Sequence, residues 1–170
     1  MTESINNNRR NFLLRLYQPI QACNSAPEIT PHSQPRPPYA VNEVLFLRLC
    51  DNCGECQKAC PNSVIEMSDG VAKLNLDYNE CSLCGECLKA CPTGALHASM
   101  PLKINLHPVF TNTCNNYLQM ECQHCQMACP QAAISIEDGE LPVLNEDLCN
   151  GCGQCRSSCY MGAISMQLSS

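Results

Sequence analysis

Sixteen of the 17 cysteines in this 170-residue chain fall into four motifs of nearly identical spacing. Three motifs follow C-x2-C-x2-C-x3-C, and the third along the chain is stretched to C-x7-C-x2-C-x3-C. A proline follows the last cysteine of every motif except the fourth, where Tyr160 stands instead. The first to fourth motifs are Cys50, Cys53, Cys56 and Cys60; Cys81, Cys84, Cys87 and Cys91; Cys114, Cys122, Cys125 and Cys129; and Cys149, Cys152, Cys155 and Cys159. Because cysteine is far above its ordinary usage, its chemistry has to be explained first.

Three chemistries use clustered cysteines, and spacing separates them. Disulfides suit secreted chains with an even number of cysteines, but the count here is odd and cysteines three positions apart bridge poorly. Structural zinc sites use C-x2-C pairs separated by a longer loop. The C-x2-C-x2-C-x3-C-P run is instead typical of bacterial ferredoxins, in which the fourth cysteine binds the other cluster of a pair. The motifs therefore predict four [4Fe-4S] clusters.

The spacing of the ferredoxin motif predicts that each cluster takes its ligands from two motifs. Three thiolates of one tight loop bind one cluster, and the fourth cysteine points away toward the neighbouring cluster. Gly54, Gly85 and Gly153 lie between the second and third cysteines, where a missing Cβ allows close backbone approach. The predicted sets are Cys50, Cys53, Cys56 and Cys91 for cluster 1; Cys81, Cys84, Cys87 and Cys60 for cluster 2; Cys114, Cys122, Cys125 and Cys159 for cluster 3; and Cys149, Cys152, Cys155 and Cys129 for cluster 4.

The two halves of the chain repeat each other: Cys60 and Cys129 are 69 positions apart, and the pairs Cys81 and Cys149, and Cys91 and Cys159, are 68 positions apart. Segments 64–67 and 71–76 flank Asp69-Gly70, and segments 133–136 and 141–144 flank Asp138-Gly139, which is a hairpin pattern. Residues 93–96 and 161–165 resemble the turn and edge strand that follow a second motif. The predicted fold class is α+β: two tandem bacterial-ferredoxin-like units of short helices and small β-hairpins around paired clusters, with an extended N-terminal segment.

The N-terminal part differs in charge and composition from the rest. Residues 1–48 carry five Arg and three Glu, whereas residues 49–170 carry a net charge of −8. Five prolines between residues 24 and 38 favour an extended conformation, which indicates a linker. Arg9-Arg10 is similar to a twin-arginine export signal, but Pro19 and polar residues interrupt the apolar stretch that export requires. We therefore predict a chain that stays in the cytoplasm. We divide it into an N-terminal segment, residues 1–48, and two ferredoxin-like units, residues 49–105 and 106–170.

The stretched third motif leaves two interpretations open. Its five additional residues are either a tolerated surface insertion or a loop that exposes or tunes this cluster for a partner. Gln123 replaces the glycine of the other motifs, and His124 is expected to be a solvated side chain rather than a ligand. Cys23 is expected to be a free thiol in the N-terminal segment.

Several function classes are disfavoured by the sequence. There is no glycine-rich phosphate loop and no nucleophile–base set, so we expect a protein without its own catalytic site. The acidic balance disfavours nucleic-acid binding, and the apolar runs of about four residues are too short for a membrane span.

The order of the motifs, with the stretched one third, resembles that of the NapF family. Arg9-Arg10 and the Arg36-Pro37-Pro38-Tyr39 stretch are similar as well, and the resemblance covers about residues 8–166. It implies a cytoplasmic accessory protein of periplasmic nitrate reductase with four [4Fe-4S] clusters. Such a protein would contact the catalytic molybdenum subunit before export, and would assist its maturation or pass electrons to it. Arg9, Arg10 and the proline-rich segment are the candidate docking residues.

Two other functions stay open at this point. The chain could be a general electron-transfer polyferredoxin or an iron–sulfur subunit of a redox complex, or its clusters could be purely structural. The N-terminal segment favours the accessory protein, because a simple electron carrier does not require it.

Overall fold

The computed structural model describes residues 32–169, so the predictions for Arg9, Arg10 and Cys23 lie outside the described residues. The helices are α1 (Glu43–Leu49), α2 (Glu55–Ala59), α3 (Glu86–Ala90), α4 (His124–Met127) and α5 (Gln154–Ser157). The strands are β1 (Ile65–Ser68), β2 (Val71–Leu74), β3 (Leu106–Phe110), β4 (Ile134–Ser135), β5 (Val143–Leu144) and β6 (Ile164–Leu168). Between residues 32 and 169, no helix has the length and apolar character needed to cross a bilayer.

The two predicted hairpins are present and antiparallel. Strands β1 and β2 pair from Ile65 opposite Leu74 to Ser68 opposite Val71. The turn between them has φ values of 54° at Asp69 and 80° at Gly70, as a two-residue hairpin turn requires. Strands β4 and β5 pair over only two residues each. The second hairpin is shorter than predicted because a longer loop, closed by a bond from Glu140 N to the Glu137 carbonyl (2.8 Å), occupies its tip.

A third two-stranded sheet joins distant parts of the second half. Strand β3 precedes the third motif and pairs antiparallel with β6, which follows the fourth motif. The first half has the equivalent contact as a single bridge between Ala40 and Leu96. The predicted edge strand is therefore present after the fourth motif as β6, and its partner β3 lies just before the third motif.

The apolar core is divided into two unequal clusters. The larger is built around Phe46, Leu74 and Ile104, while the smaller contains three isoleucines and two motif cysteines. Cysteine thiols therefore take core positions that large side chains occupy in most domains, which follows from a chain with three Phe and no Trp.

The C-terminal end of the proline-rich segment is part of this core and is not the linker that its composition predicts. Pro37 and Pro38 are among the most completely buried side chains, and the Leu74 N–H donates to the Pro35 carbonyl at 2.8 Å. Arg36 is 2% exposed; its guanidinium lies 4.9 Å from the centre of the Phe46 ring and donates to the Ala72 carbonyl. These residues anchor the chain to the first half and are not available for docking.

Arg36 is neutralised by a buried carboxylate. Its Nε and Nη2 donate to the two carboxylate oxygens of Glu43 at 3.1 and 2.7 Å, and His32 and Ser33 contact the same carboxylate. Burial alone would raise the pKa of Glu43, but the hydrogen bonds from Arg36, His32 and Ser33 lower it to about 2. The carboxylate thus stays ionised at neutral pH and holds the start of α1 against the preceding prolines.

Candidate iron–sulfur sites

The sixteen motif cysteines line four separate pockets, each of them partly open to solvent. Each pocket combines three cysteines of one motif with the last cysteine of its neighbour. The first pocket has Cys50, Cys53, Cys56 and Cys91; the second has Cys60, Cys81, Cys84 and Cys87; the third has Cys114, Cys122, Cys125 and Cys159; the fourth has Cys129, Cys149, Cys152 and Cys155. The structure thus brings together the members of each predicted crossed set.

The donor chemistry of these pockets fits iron–sulfur clusters. Among residues 32–169, no three His, Cys, Asp or Glu side chains converge on one point as the ligands of a single metal ion do. The thiols instead stand around the wall of a pocket, as the four ligands of a four-iron cluster must. The third cysteine of each motif is buried, and burial raises the pKa of Cys56 and Cys125 to about 11 and that of Cys87 and Cys155 to about 12. A cation in the pocket is what would favour their thiolate forms.

Backbone N–H groups also approach the sulfur atoms. The Leu96 N–H donates to Cys91 Sγ at 3.5 Å, and the Ala133 N–H donates to Cys129 Sγ at 3.3 Å. Burial alone would raise the pKa of Cys91, but hydrogen bonds from the Leu96 N–H and from Thr93 lower it. Such donors stabilise a thiolate and are among the features that set the potential of a bound cluster.

The glycine before each regular motif's helix is required by backbone conformation. Gly54, Gly85 and Gly153 have φ values of 74°, 77° and 82°. Of these three glycines, Gly153 is the one where a Cβ would be crowded, because it would lie 3.0 Å from Leu76 Cδ1. At Gly54 and Gly85 a Cβ would meet no protein atom closer than 3.9 Å, so the backbone conformation alone requires glycine there. Gln123 in the third motif has φ −127°, a conformation open to any residue, so no glycine is needed there.

The stretched loop of the third motif is a compact turn held by two buried asparagines. Asn116 donates to the carbonyl oxygens of Cys122 and Glu140 at 3.0 and 2.9 Å, and accepts from the Cys122 N–H at 2.7 Å. Asn115 lines the third pocket and donates to the hydroxyl of Tyr160, the residue that replaces proline in the fourth motif. Sequence reasoning missed both asparagines, although an Asn-Asn pair inside the only stretched motif was a visible signal.

His124 stands at the edge of the same pocket. Its Nδ1 is 3.5 Å from Cys122 Sγ, and its ring meets that of Tyr160 edge to face with 5.3 Å between centroids. The side chain is exposed, as the sequence predicts, and both residues that it contacts line the same pocket.

The two halves meet between the second and fourth pockets. The Cys81 N–H donates to the Cys152 carbonyl at 2.8 Å, and the Ile104 N–H donates to the Asn150 carbonyl at 2.9 Å. Gly151 lies under this junction: a Cβ there would be 2.6 Å from the carbonyl oxygens of both Ile104 and Leu106. Sequence reasoning missed this glycine, because the segment that covers it comes from elsewhere in the chain.

Gly151→Ala is expected to cost about 3 kcal/mol or more, since it combines a left-handed backbone position with overlap against two carbonyl groups. Gly94→Ala is the matched control: its φ is 76° and a Cβ there meets no atom within 4 Å, so it should cost only about 1–2 kcal/mol. Anaerobic thermal melts followed by the visible absorbance of the clusters compare the two variants. Equal midpoints for both would show that the junction is not tightly packed at Gly151.

Comparison with known families agrees with this geometry. Residues 49–95 match the 4Fe-4S dicluster domain, and residues 142–165 match the 4Fe-4S binding domain. Tandem ferredoxin domains with sixteen cysteines in four pockets define a ferredoxin-type electron-transfer protein whose cofactors are four [4Fe-4S] clusters, which confirms the cofactor prediction.

Similar proteins narrow the class further. An uncharacterized protein of Haemophilus influenzae is 45% identical over 135 residues, which are 79% of each chain. The ferredoxin-type protein NapF of Escherichia coli K12 is 34% identical over 137 residues, or 78% of this chain and 84% of the relative. NapF of H. influenzae is 35% identical over 136 residues, or 77% of each. The chain belongs to the NapF family, as the order of its motifs predicts.

Proposed function

We propose that this protein is an accessory protein of periplasmic nitrate reductase that acts in the cytoplasm on the catalytic molybdenum subunit before its export. It assists maturation of that subunit, passes electrons to it, or does both. The observation that carries this proposal is the similarity to NapF across more than three quarters of a chain that itself carries four cysteine motifs.

In this proposal, the four thiols of each pocket are the ligands of one cluster, in the crossed sets given above. When bound, the clusters supply one-electron redox chemistry. The chain's own residues hold the thiolates, donate N–H groups to sulfur at Cys91 and Cys129, and leave Cys53 and Cys84 exposed at the rims of the first two pockets. These exposed rims give a partner access close to two of the four pockets.

The charge distribution supports docking to a basic partner. Residues 49–170 carry 13 acidic and five basic side chains, and anionic clusters add further negative charge. Opposite charge on a partner would steer association, which should then weaken as salt rises.

A second candidate is a general electron carrier, and one observation favours it. H. influenzae contains both a NapF and a second relative, and the present chain is 45% identical to the second but 35% identical to that NapF. A subgroup of this family could therefore serve a different acceptor.

Capture of the purified catalytic-subunit precursor by the cluster-loaded protein separates the two candidates. We expect binding at low salt that weakens at high salt, and weaker binding when residues 1–31 are removed. The deletion must stop there because Arg36 and Phe46 belong to the core. If the full chain does not bind the precursor yet reduces another acceptor, the second candidate replaces the first. Unchanged binding by the shortened chain would exclude a docking role for Arg9 and Arg10.

A further inference from the structure

Exposed apolar side chains gather around the third pocket. Tyr160 and Met161 line the pocket itself, and Tyr117, Leu118 and Met120 belong to the stretched loop whose Asn115 also lines it. Met127 lies one turn along α4 from His124, another lining residue. We name the six apolar residues the third-motif face: Tyr117, Leu118, Met120, Met127, Tyr160 and Met161.

All six side chains are exposed, and three of them strongly so. Met127 is 81% exposed, Tyr160 65% and Tyr117 56%, so each leaves more than half of its surface in water. Tyr and Met are enriched in protein interfaces, and Met in particular adapts to the shape of a partner. Gathered around one pocket, they form the kind of surface that marks a binding site.

The face is held in place before any partner binds. The Leu118 N–H donates to the carbonyls of Cys114 and Asn115 at 3.2 and 2.9 Å, and the Met120 N–H donates to the Asn115 carbonyl at 2.9 Å. Together with the three hydrogen bonds of the Asn116 side chain, these bonds fix the loop. A preformed loop loses little conformational entropy on binding, which favours affinity.

The charge around the face identifies the partner's chemistry. Residues 104–155 contain six acidic side chains and no Lys or Arg. Three of the six, Glu137, Asp138 and Glu140, lie on the turn that Asn116 binds, and the Glu121 side chain lies against Gly139 of the same turn. The fitting partner surface is therefore an apolar patch bordered by Lys or Arg side chains.

We propose that the third-motif face is the docking surface for the catalytic subunit, which would bring that subunit to the edge of the third pocket. This inference rests on the proposed function and adds to it the place of contact. In this proposal, the five additional residues of the stretched motif help to build an interface, which is the second of its two interpretations.

The test compares two pairs of substitutions that place charge on exposed apolar positions. The double substitution Tyr117→Glu and Met127→Glu alters the face and leaves the pocket-lining residues unchanged. The matched control is the double substitution Val44→Glu and Leu47→Glu on α1, at positions that are 48% and 51% exposed. Binding of the purified catalytic-subunit precursor is measured by calorimetry on proteins with full iron content. We expect the face pair to raise the Kd about tenfold or more and the control pair to change it less than about twofold.

A second variant guards against loss of folding in the first. Glu137→Lys with Glu140→Lys reverses the acidic border, leaves the apolar residues in place, and should weaken binding while reducing its salt dependence. If the original protein binds but both altered surfaces bind equally well, the third-motif face is not the docking surface and the proposed function still stands. If the original protein does not bind the precursor at all, the proposed function fails first. A loss as large in the control pair would also overturn the assignment.

Discussion

Removal of the iron is expected to unfold most of the protein. The helices between residues 32 and 169 have four to seven residues, too few to persist alone in water, and the sheets of this part of the chain have two strands each. The bonds between metal and thiolate must therefore supply much of the folding free energy. Anaerobic chelation should abolish the dispersion of the NMR amide signals and most of the far-ultraviolet circular dichroism.

The two halves should not respond equally. The first half contains the larger apolar cluster, with Phe46, Leu74 and the buried Arg36–Glu43 pair, whereas the second half has only the smaller one. Residual protection against hydrogen exchange after chelation is therefore expected in the first half. A chain that stays compact with well-dispersed signals after complete iron removal would show that side-chain packing, and not the metal, holds the fold.

Loss of a single cluster is the second large effect, and it reveals which cysteines share a ligand set. Cys91→Ala should remove the cluster of the first pocket, although Cys91 belongs to the second motif. Iron content should fall from about 16 to about 12 per chain, because each cubane contains four iron atoms. Electron paramagnetic resonance of the reduced variant should match that of Cys53→Ala, another first-pocket variant, and differ from that of Cys84→Ala in the second pocket.

Cys23→Ala is the control for this series, since Cys23 belongs to none of the motifs and its loss should leave the iron content unchanged. If the Cys91 spectrum instead coincided with that of Cys84→Ala, each motif would bind its own cluster and the crossed sets would be wrong.

Features that depend on neighbouring residues could be predicted from the sequence. The β1–β2 hairpin follows from Asp69-Gly70, because two adjacent residues with positive φ reverse the chain locally. The cysteine spacing is local in the same sense, since each tight loop positions three thiols by itself. The grouping of the thiols around the four pockets could be predicted because the motif fixes the direction in which its last cysteine points, whereas the ligand sets themselves stay a prediction.

Features that depend on distant residues could not. Arg36 and the prolines beside it have the composition of a solvated linker, and only the position of Glu43, Phe46 and Ala72 around them makes this a buried site. The need for glycine at position 151 likewise arises from two carbonyl groups about 45 residues upstream in the chain. Neither requirement leaves a periodic or local pattern in the sequence.

The pockets of each half are nested along the chain, and this has a consequence for assembly. In the first half, the loop that closes the outer pocket runs 35 positions from Cys56 to Cys91, and the loop that closes the inner pocket runs 21 positions from Cys60 to Cys81. Doubling the length of a loop adds about 0.6 kcal/mol to the entropic cost of closing it. Closing the inner loop first also shortens the span left for the outer one. The inner pockets of the two halves adjoin where the Cys81 N–H donates to the Cys152 carbonyl. The loops with the lowest entropic cost of closure therefore lie at the junction of the halves.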